Sequence, residues 1–409
     1  MLRILIAPDK FKGSMDSFGV CDAIEKGLRE AERQSLSVER GTGRRGTAQV
    51  LSVEPEAASG EAAISFHIVK LPLADGGDGL LEVIRYYTGA RPRYAKTLDP
   101  LSRTITSSWL LSADGRTAFI EMAKTSGLEL LQPSEYDCLR TTTYGTGQLI
   151  GEAIRSGAEE IVIGIGGSAT NDGGIGMAAA LGVRFLDAAG KELPPSGGSL
   201  SKLAKIDVSG KKTWPGVRFR IASDVQNPLY GEQGASLIYA PQKGADPDTV
   251  ELLEAGMRRY AALLKRDLGI DLAGRAGAGA AGGLGAGCMA FLDAGLVSGV
   301  DLVMEYSRAE QHAQEADLLI TGEGKIDVQT LQGKLVAGIA AMGRRYHKPV
   351  VALCGQLAVT ADDLRQLGIL AAYSIIDRPM TLEEAIRNGK ELLTAAACRL
   401  GRQLPALIG

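Results

Sequence analysis

One pattern recurs along this chain: a β-type apolar run stops in glycines and carboxylates, and apolar positions at helical spacing follow. The first run, Met1-Leu2-Arg3-Ile4-Leu5-Ile6-Ala7, predicts a strand entering Pro8-Asp9-Lys10-Phe11-Lys12-Gly13-Ser14. Val20, Ala23, Ile24, Gly27, Leu28 and Ala31 then form one helical face. A second strand, Phe66 to Leu73, ends in Ala74-Asp75-Gly76-Gly77-Asp78-Gly79, and Leu80, Leu81, Val83, Ile84 and Tyr87 mark the next helix. Between these two units, Glu32 to Ala63 is polar and small with no sustained period, which predicts a mobile insertion.

The fullest instance of the pattern is Glu160 to Gly174, where Ile161-Val162-Ile163 runs into Gly164-Ile165-Gly166-Gly167-Ser168-Ala169-Thr170-Asn171-Asp172-Gly173-Gly174. Glycine lets backbone N–H groups approach an anion closely, and the following helix adds its unpaired N-terminal donors, so the stretch reads as a phosphate cradle. Asp172 beside an anion implies a cation between them, and Mg²⁺ is commonly held by one or two carboxylates plus substrate phosphates. A tight strand-to-helix turn that merely uses glycine is the plainer alternative. A dinucleotide fingerprint is another, since Gly164-x-Gly166-x-x-Ala169 follows a strand and Asp187 sits at about the spacing of a ribose-binding acid. Against it, the helix should begin near Ser168, yet Thr170 to Gly176 is rich in glycine, Asn and Asp, which oppose helix formation.

Elsewhere the pattern changes. Thr104 to Leu111 and Thr117 to Met122 flank Asp114-Gly115, predicting a β-hairpin. Antiparallel pairing after parallel βα units suggests an inserted domain. Gly145-Thr146-Gly147 opens a helix over Gln148 to Ser156, and Phe219 to Ala222 delivers Ser223-Asp224 past a strand. Gly277 to Gly285 reads either as a second backbone cradle or as a close-packed glycine helix. After about Asp301 the βα alternation returns: a strand over Leu318 to Thr321 before Gly322-Glu323-Gly324-Lys325, a helix from Leu331, strands over Pro349 to Leu353 and Ile369 to Ile376, and a last helix over Leu382 to Leu400. The expected architecture is therefore α/β: an open parallel sheet built from both chain ends, 1–73 and 301–409, with a large mixed α/β domain, 74–300, inserted. Open α/β sheets bind ligands at the strand C-termini, here carrying Asp9, Asp75, Asp78, Glu323 and Lys325.

Composition narrows the chemistry. At 409 residues two domains are the prior. A net charge of −3 and an aromatic share of 5% offer neither a basic footprint for nucleic acid nor stacking platforms for bases. Five scattered cysteines and three isolated histidines point away from disulfides and structural zinc and toward a cytoplasmic setting. The 53 glycines exceed the usual share of about 7% and cluster beside carboxylates, as ligand loops do. No signal-peptide layout and no membrane span are predicted, and neither a P-loop nor a G-x-S-x-G elbow occurs.

Taken together, Ala7-Pro8-Asp9-Lys10-Phe11-Lys12-Gly13-Ser14, Leu71-Pro72-Leu73-Ala74-Asp75-Gly76-Gly77-Asp78-Gly79, Gly164 to Gly174, Ser223-Asp224-Val225, Pro241-Gln242-Lys243-Gly244 and Thr321-Gly322-Glu323-Gly324 resemble the type I glycerate kinase family over nearly the whole chain. The resemblance implies a discontinuous flavodoxin-like domain, an inserted α/β domain, an active site in the cleft between, and Mg²⁺-dependent transfer of the ATP γ-phosphoryl group to D-glycerate. The 2-hydroxyl is the expected acceptor and the 3-hydroxyl the alternative. The segment Glu32 to Ala63 is longer than the link expected in that family. On this reading Lys10 and Lys12, with Asp9, Ser14, Asp75, Glu323 and Lys325, face the substrate. Gly166, Gly167, Ser168, Thr170, Asn171, Gly282 and Gly283 bind the nucleotide. Asp172 and Asp224 hold the metal, Asp78 is the candidate base, and Lys10 and Asp172 are further catalytic candidates. The three aspartates could instead simply cap helices or make Asx turns, and the lysines could be solvated surface residues. The expected partners are ATP and glycerate, with neither nucleic acid nor membrane, and a homodimer is the assembly to test.

Overall fold

The computed structural model describes residues 1–40, 65–74, 79–331 and 334–408. In chain order the strands are β1 (Leu2–Ile6), β2 (Phe66–Lys70), β3 (Arg91–Leu98), β4 (Thr104–Leu111), β5 (Thr117–Glu121), β6 (Glu160–Gly164) and β7 (Arg184–Leu186). They continue with β8 (Lys205–Asp207), β9 (Arg218–Ala222), β10 (Gly295–Val297), β11 (Leu318–Ile326), β12 (Val350–Leu357) and β13 (Ala371–Ser374). Contacts divide the chain into two compact units, Met1–Ala74 with Ser307–Gly409, and Asp75–Tyr306.

The first unit is one parallel sheet in the order β13-β12-β11-β1-β2. Both chain ends meet where Ile4 pairs with Leu318 on one side and Ile68 on the other. Counted from β1, this is the flavodoxin-like order, with its switch point between β1 and β11. Helices cover both faces, so Ile4, Leu5 and Ile6 are all buried and the strand reads as a continuous apolar run. The helices Ser17–Arg40 and Gly389–Ile408 pack closely because both spare a side chain at the contact. A Cβ on Gly27 would lie 2.2 Å from the Thr394 carbonyl oxygen.

Three expectations are corrected here. The first helix runs to Arg40, so Glu32 to Arg40 is not part of a loose insertion. Glu32 accepts the Phe66 backbone N–H and pairs with Arg29 at 2.8 Å, which locks this turn against β2. The rest of the expected mobile insertion, from residue 41, lies outside the described residues. Strand β11 does not stop at Thr321 but carries Gly322, Glu323 and Lys325 inside it, paired with Leu353, Cys354 and Gln356. Its glycines mark close backbone approach: a Cβ on Gly322 would meet the Leu353 carbonyl at 2.2 Å. The last helix is two, Leu382–Arg387 and Gly389–Ile408.

The second unit holds a six-stranded sheet, β10-β9-β6-β5-β4-β3, and the small pair β7-β8. Strands β5, β6, β9 and β10 are mutually parallel; β3, β4 and β5 are antiparallel neighbours, as the predicted hairpin requires. Strand β3 had no signature, because Pro92 and exposed Arg91, Arg93 and Lys96 give it the polar look of a protected edge. The chain returns to the first unit at Tyr306/Ser307 and not at 300/301. Up to Tyr306 the helix Gly299–Ser307 packs on the inserted sheet, with Tyr306 edge-on to Phe119 at 5.3 Å and Glu305 paired with Arg220 at 3.1 Å.

Candidate active site

In the inserted unit, β6 ends at Gly164 and the next helix, Ile175–Ala180, begins only after a ten-residue loop, 165–174. A dinucleotide fold needs its helix near Ser168, and Asp187 is spent on a turn, accepting the Ala189 and Lys191 N–H groups at 2.9 Å each. The fingerprint reading is therefore set aside. The loop is pinned on its inner side. Leu128 N–H donates to the Gly167 carbonyl and Ala169 N–H to the Ser126 carbonyl, both at 2.9 Å. The Thr141 hydroxyl donates to the Ala169 carbonyl at 2.9 Å, and Asn171 Nδ2 to Ser236 Oγ at 3.0 Å. Gly167 has φ +73°, a conformation glycine adopts without strain. Of the expected nucleotide contacts, Gly166, Gly167 and Ser168 reach solvent, while Thr170 and Asn171 are buried beneath them.

Asp172 is fully buried and its oxygens are already engaged. Oδ2 accepts Thr143 N–H and Thr143 Oγ1–H, both at 2.8 Å, and Gly176 N–H at 3.2 Å; Oδ1 accepts Gly174 N–H at 3.0 Å. Burial pushes its pKa up, against the pull of these donors. The side chain thus ties the start of the helix Tyr144–Arg155 to the start of Ile175–Ala180, the capping use of Asp. Its expected roles as metal ligand and catalytic carboxylate do not fit this geometry, since no oxygen is left facing a ligand.

The second glycine cluster resolves to close packing. Within Ala280–Leu292, Ala281, Gly282 and Gly283 adopt left-handed conformations. A Cβ on Gly282 would lie 2.0 Å from the Thr170 carbonyl, and one on Gly283 2.8 Å from Gly173 Cα. Gly282 and Gly283, expected to touch the nucleotide, are instead buried against the back of the loop. A residue given no role from the sequence stands beside them. Lys243, in the turn Pro241–Lys243, is buried and donates from Nζ to Ser168 Oγ at 2.7 Å and to the Thr170 carbonyl at 2.6 Å. Its only sequence signal was its place in Pro241-Gln242-Lys243-Gly244; Gly244, φ +90°, leaves no room for a Cβ, which would fall 2.3 Å from the Tyr136 carbonyl.

Asp224 lies just past β9, half-buried, with Oδ1 accepting Ser298 Oγ–H at 2.6 Å. Because Gly164 of β6 pairs with Ala222 of β9 in a parallel ladder, the loops bearing Gly166 and Asp224 leave the same strand edge side by side.

In the first unit the sequence-expected residues gather just past the end of β1, beside the second half of β11. Asp9 N–H donates to the Gly322 carbonyl at 2.8 Å, and Thr321 Oγ1–H to the Ala7 carbonyl at 2.8 Å. Asp9 and Glu323 are both buried: Asp9 Oδ1 accepts Lys10 N–H at 2.7 Å, and Glu323 Oε1 accepts Thr330 Oγ1–H at 2.6 Å. A Cβ on Gly324 would lie 3.3 Å from the Lys12 nitrogen, so Lys12 runs directly over β11. Lys12 is exposed and Lys10 half-buried. Lys325 pairs with Asp327 at 3.1 Å. Ser14 is placed differently from expectation, its hydroxyl donating to the Ile386 carbonyl at 2.8 Å. Asp75 and Asp78 lie outside the described residues.

The first unit is a flavodoxin-like sheet with acids and lysines beside its strand ends, and the second bears a glycine-rich loop at its own strand edge, groups of the kind phosphoryl transfer uses to position and neutralise phosphate oxygens. Residues 4–405 match the model of the glycerate kinase family, and the chain belongs to that family. It is 41% identical over 410 residues to Glycerate 2-kinase of Escherichia coli (strain K12), spanning 100% of this chain and 98% of that one. It is 40% identical to Glycerate kinase of Bacillus subtilis (strain 168), over 97% of this chain and 96% of the other. A crystal structure described as "putative glycerate kinase 2 from Salmonella typhimurium LT2" superposes with a TM-score of 0.77 at 40% identity, covering 99% of this chain and 98% of that chain. No helix among the described residues is long and apolar enough to cross a membrane.

Proposed function

We propose that this protein transfers the γ-phosphoryl group of ATP, with Mg²⁺, to the 2-hydroxyl of D-glycerate, giving 2-phosphoglycerate. The observation that carries the reading is the match along the whole chain to a glycerate 2-kinase. Phosphoryl transfer asks a protein mainly for positioning and for neutralising charge on the phosphate oxygens. Gly166, Gly167 and Ser168 offer backbone to the nucleotide phosphates, with Thr170, Asn171, Gly282 and Gly283 shaping the loop from behind. Lys10 and Lys12 meet the glycerate carboxylate, and Asp9, Glu323 and Lys325 set the polarity around them.

Asp224 is the residue of the inserted unit suited to Mg²⁺: a half-buried carboxylate at the edge that also carries the glycine loop, with one oxygen fixed by Ser298. Among the described residues no three His, Cys, Asp or Glu side chains converge on a metal position. Mg²⁺ shared between one or two carboxylates and phosphates needs no such cluster. When bound, the ion supplies neutralisation of phosphate charge. Asp78 remains the candidate to accept the proton of the attacking hydroxyl, on its sequence context in Asp75-Gly76-Gly77-Asp78-Gly79.

Phosphorus and proton NMR of the product formed from ATP and D-glycerate tests the reading, with 2-phosphoglycerate expected. A 3-phospho product overturns the acceptor assignment, and no glycerate-dependent ADP overturns the activity. Lys10→Ala should raise KM for glycerate about tenfold or more, the loss of a bond to a charged group worth about 1.5–3 kcal/mol. KM for ATP should stay within about threefold; equal rises in both sink the Lys10 assignment.

A further inference from the structure

Lys243 is a cation in the interior of the inserted unit, 2% exposed, and its hydrogen-bond partners, Ser168 Oγ and the Thr170 carbonyl, are both neutral. Among the described residues it forms no ion pair. The titratable groups that face it are the Asp172 carboxylate and the Cys138 thiol, both acting at longer range. Asp172 offsets the ammonium only in part, since burial still dominates and lowers the lysine's pKa; a buried charge without a close ion-pair partner is costly, so a lysine held this way favours a further counter-charge. The loop above it presents Gly166, Gly167 and Ser168 to solvent.

We propose that the nucleotide phosphates bound on Gly166–Ser168 are the counter-ion of Lys243: the ammonium positions Ser168 and Thr170 from beneath, and nucleotide binding draws a proton onto it. This rests on the glycine loop being the phosphate cradle. Lys243 is a positioning residue, because it is buried under the loop and acts through Ser168, Thr170 and its field.

Burial lowers the pKa of Lys243 to about 8, against the pull of Cys138, where its thiol is ionised, and of Asp172. The Cys138 thiol is itself pushed up to about 11 by burial, so it stays protonated near pH 8. An anion above the loop favours the charged amine and raises its pKa in the complex. Affinity is then full below about pH 8 and falls as pH rises from the free toward the bound pKa, with proton uptake in that window. A terminal phosphate loses its last proton near pH 6, below the window.

The test is calorimetric titration of the full chain with Mg·ADP at pH 7.5 and pH 9, each in two buffers of different ionisation enthalpy. Wild type should bind about five- to tenfold more weakly at pH 9 than at pH 7.5 and take up a substantial fraction of one proton at pH 9. Lys243→Met should bind more weakly at pH 7.5, lose the uptake, and keep one affinity across the range, with a thermal melt reporting that it is folded. Lys243→Arg, which stays charged, should bind without the pH slope. No proton uptake by wild type, or the same uptake and slope in Lys243→Met, overturns the proposal whether or not the arginine variant folds. Gly167→Val tests the cradle separately. If it leaves Mg·ADP affinity unchanged, the cradle reading fails; if it abolishes binding while Lys243→Met keeps the wild-type slope, only the lysine inference fails.

Discussion

Asp172 accepts four hydrogen bonds, three on one oxygen, and every donor is a protein N–H or O–H. An amide in its place keeps one acceptor and turns an N–H₂ toward groups that are themselves donors. Asp172→Asn should therefore cost about 2–3 kcal/mol in a denaturant melt, the range for buried donors left unsatisfied. Any fall in turnover should follow the fall in folded protein. A variant as stable as wild type that turns over about a hundredfold more slowly would return Asp172 to the chemistry. The sequence could not separate these roles, because Asp beside glycine serves turns, caps and ligands equally well. Lys243 was hidden for the opposite reason: a lysine is read as solvated unless its surroundings are known, and its partners lie at positions 168 and 170, more than seventy residues away along the chain.

At the scale of elements, glycine divides into two kinds that look alike in the sequence. Gly157, φ +88°, has nothing within 4 Å of where a Cβ would stand, whereas at Gly282, φ +66°, the added carbon would overlap the Thr170 carbonyl at 2.0 Å. Gly157→Ala should cost about 1–2 kcal/mol of backbone strain alone. Gly282→Ala carries the same strain plus an overlap with backbone that cannot swing away, and should cost more than about 3 kcal/mol. Equal shifts in unfolding midpoint would show that the helix Ala280–Leu292 does not press on the loop as described. The element boundaries most plainly visible in the chain were those with a local stop: Gly164 closing β6, Asp114-Gly115 between β4 and β5, and Pro8 after β1. Strand β11 runs on past Thr321 because Gly322 and the residues after it pair with β12, a non-local contact that overrides the usual meaning of glycine as a turn.

At the scale of the whole molecule, residues 41–64 join the helix ending at Arg40 to β2, and their composition is polar and small. Glu32 bonds the first residue of β2, so a replacement link must span the rise from Glu32 to Arg40, about 12 Å at 1.5 Å per residue. Eight Gly/Ser residues in place of 41–64 should suffice and leave kcat and KM within a few fold, since each halving of a loop changes closure entropy by only about 0.6 kcal/mol. Loss of folding or of turnover would give the segment a packing or functional role. What the sequence alone determined was the α/β class, the parallel sheet assembled from both chain ends, and the glycine loops at the strand edges. Each is written in neighbouring residues, through period, turn chemistry and the spacing of small residues. Only the tertiary structure decided which carboxylates are spent inside the fold, which glycines make room for backbone, and where a buried lysine sits. Those depend on atoms brought together from distant parts of the chain, as Thr143 is to Asp172 across 29 positions.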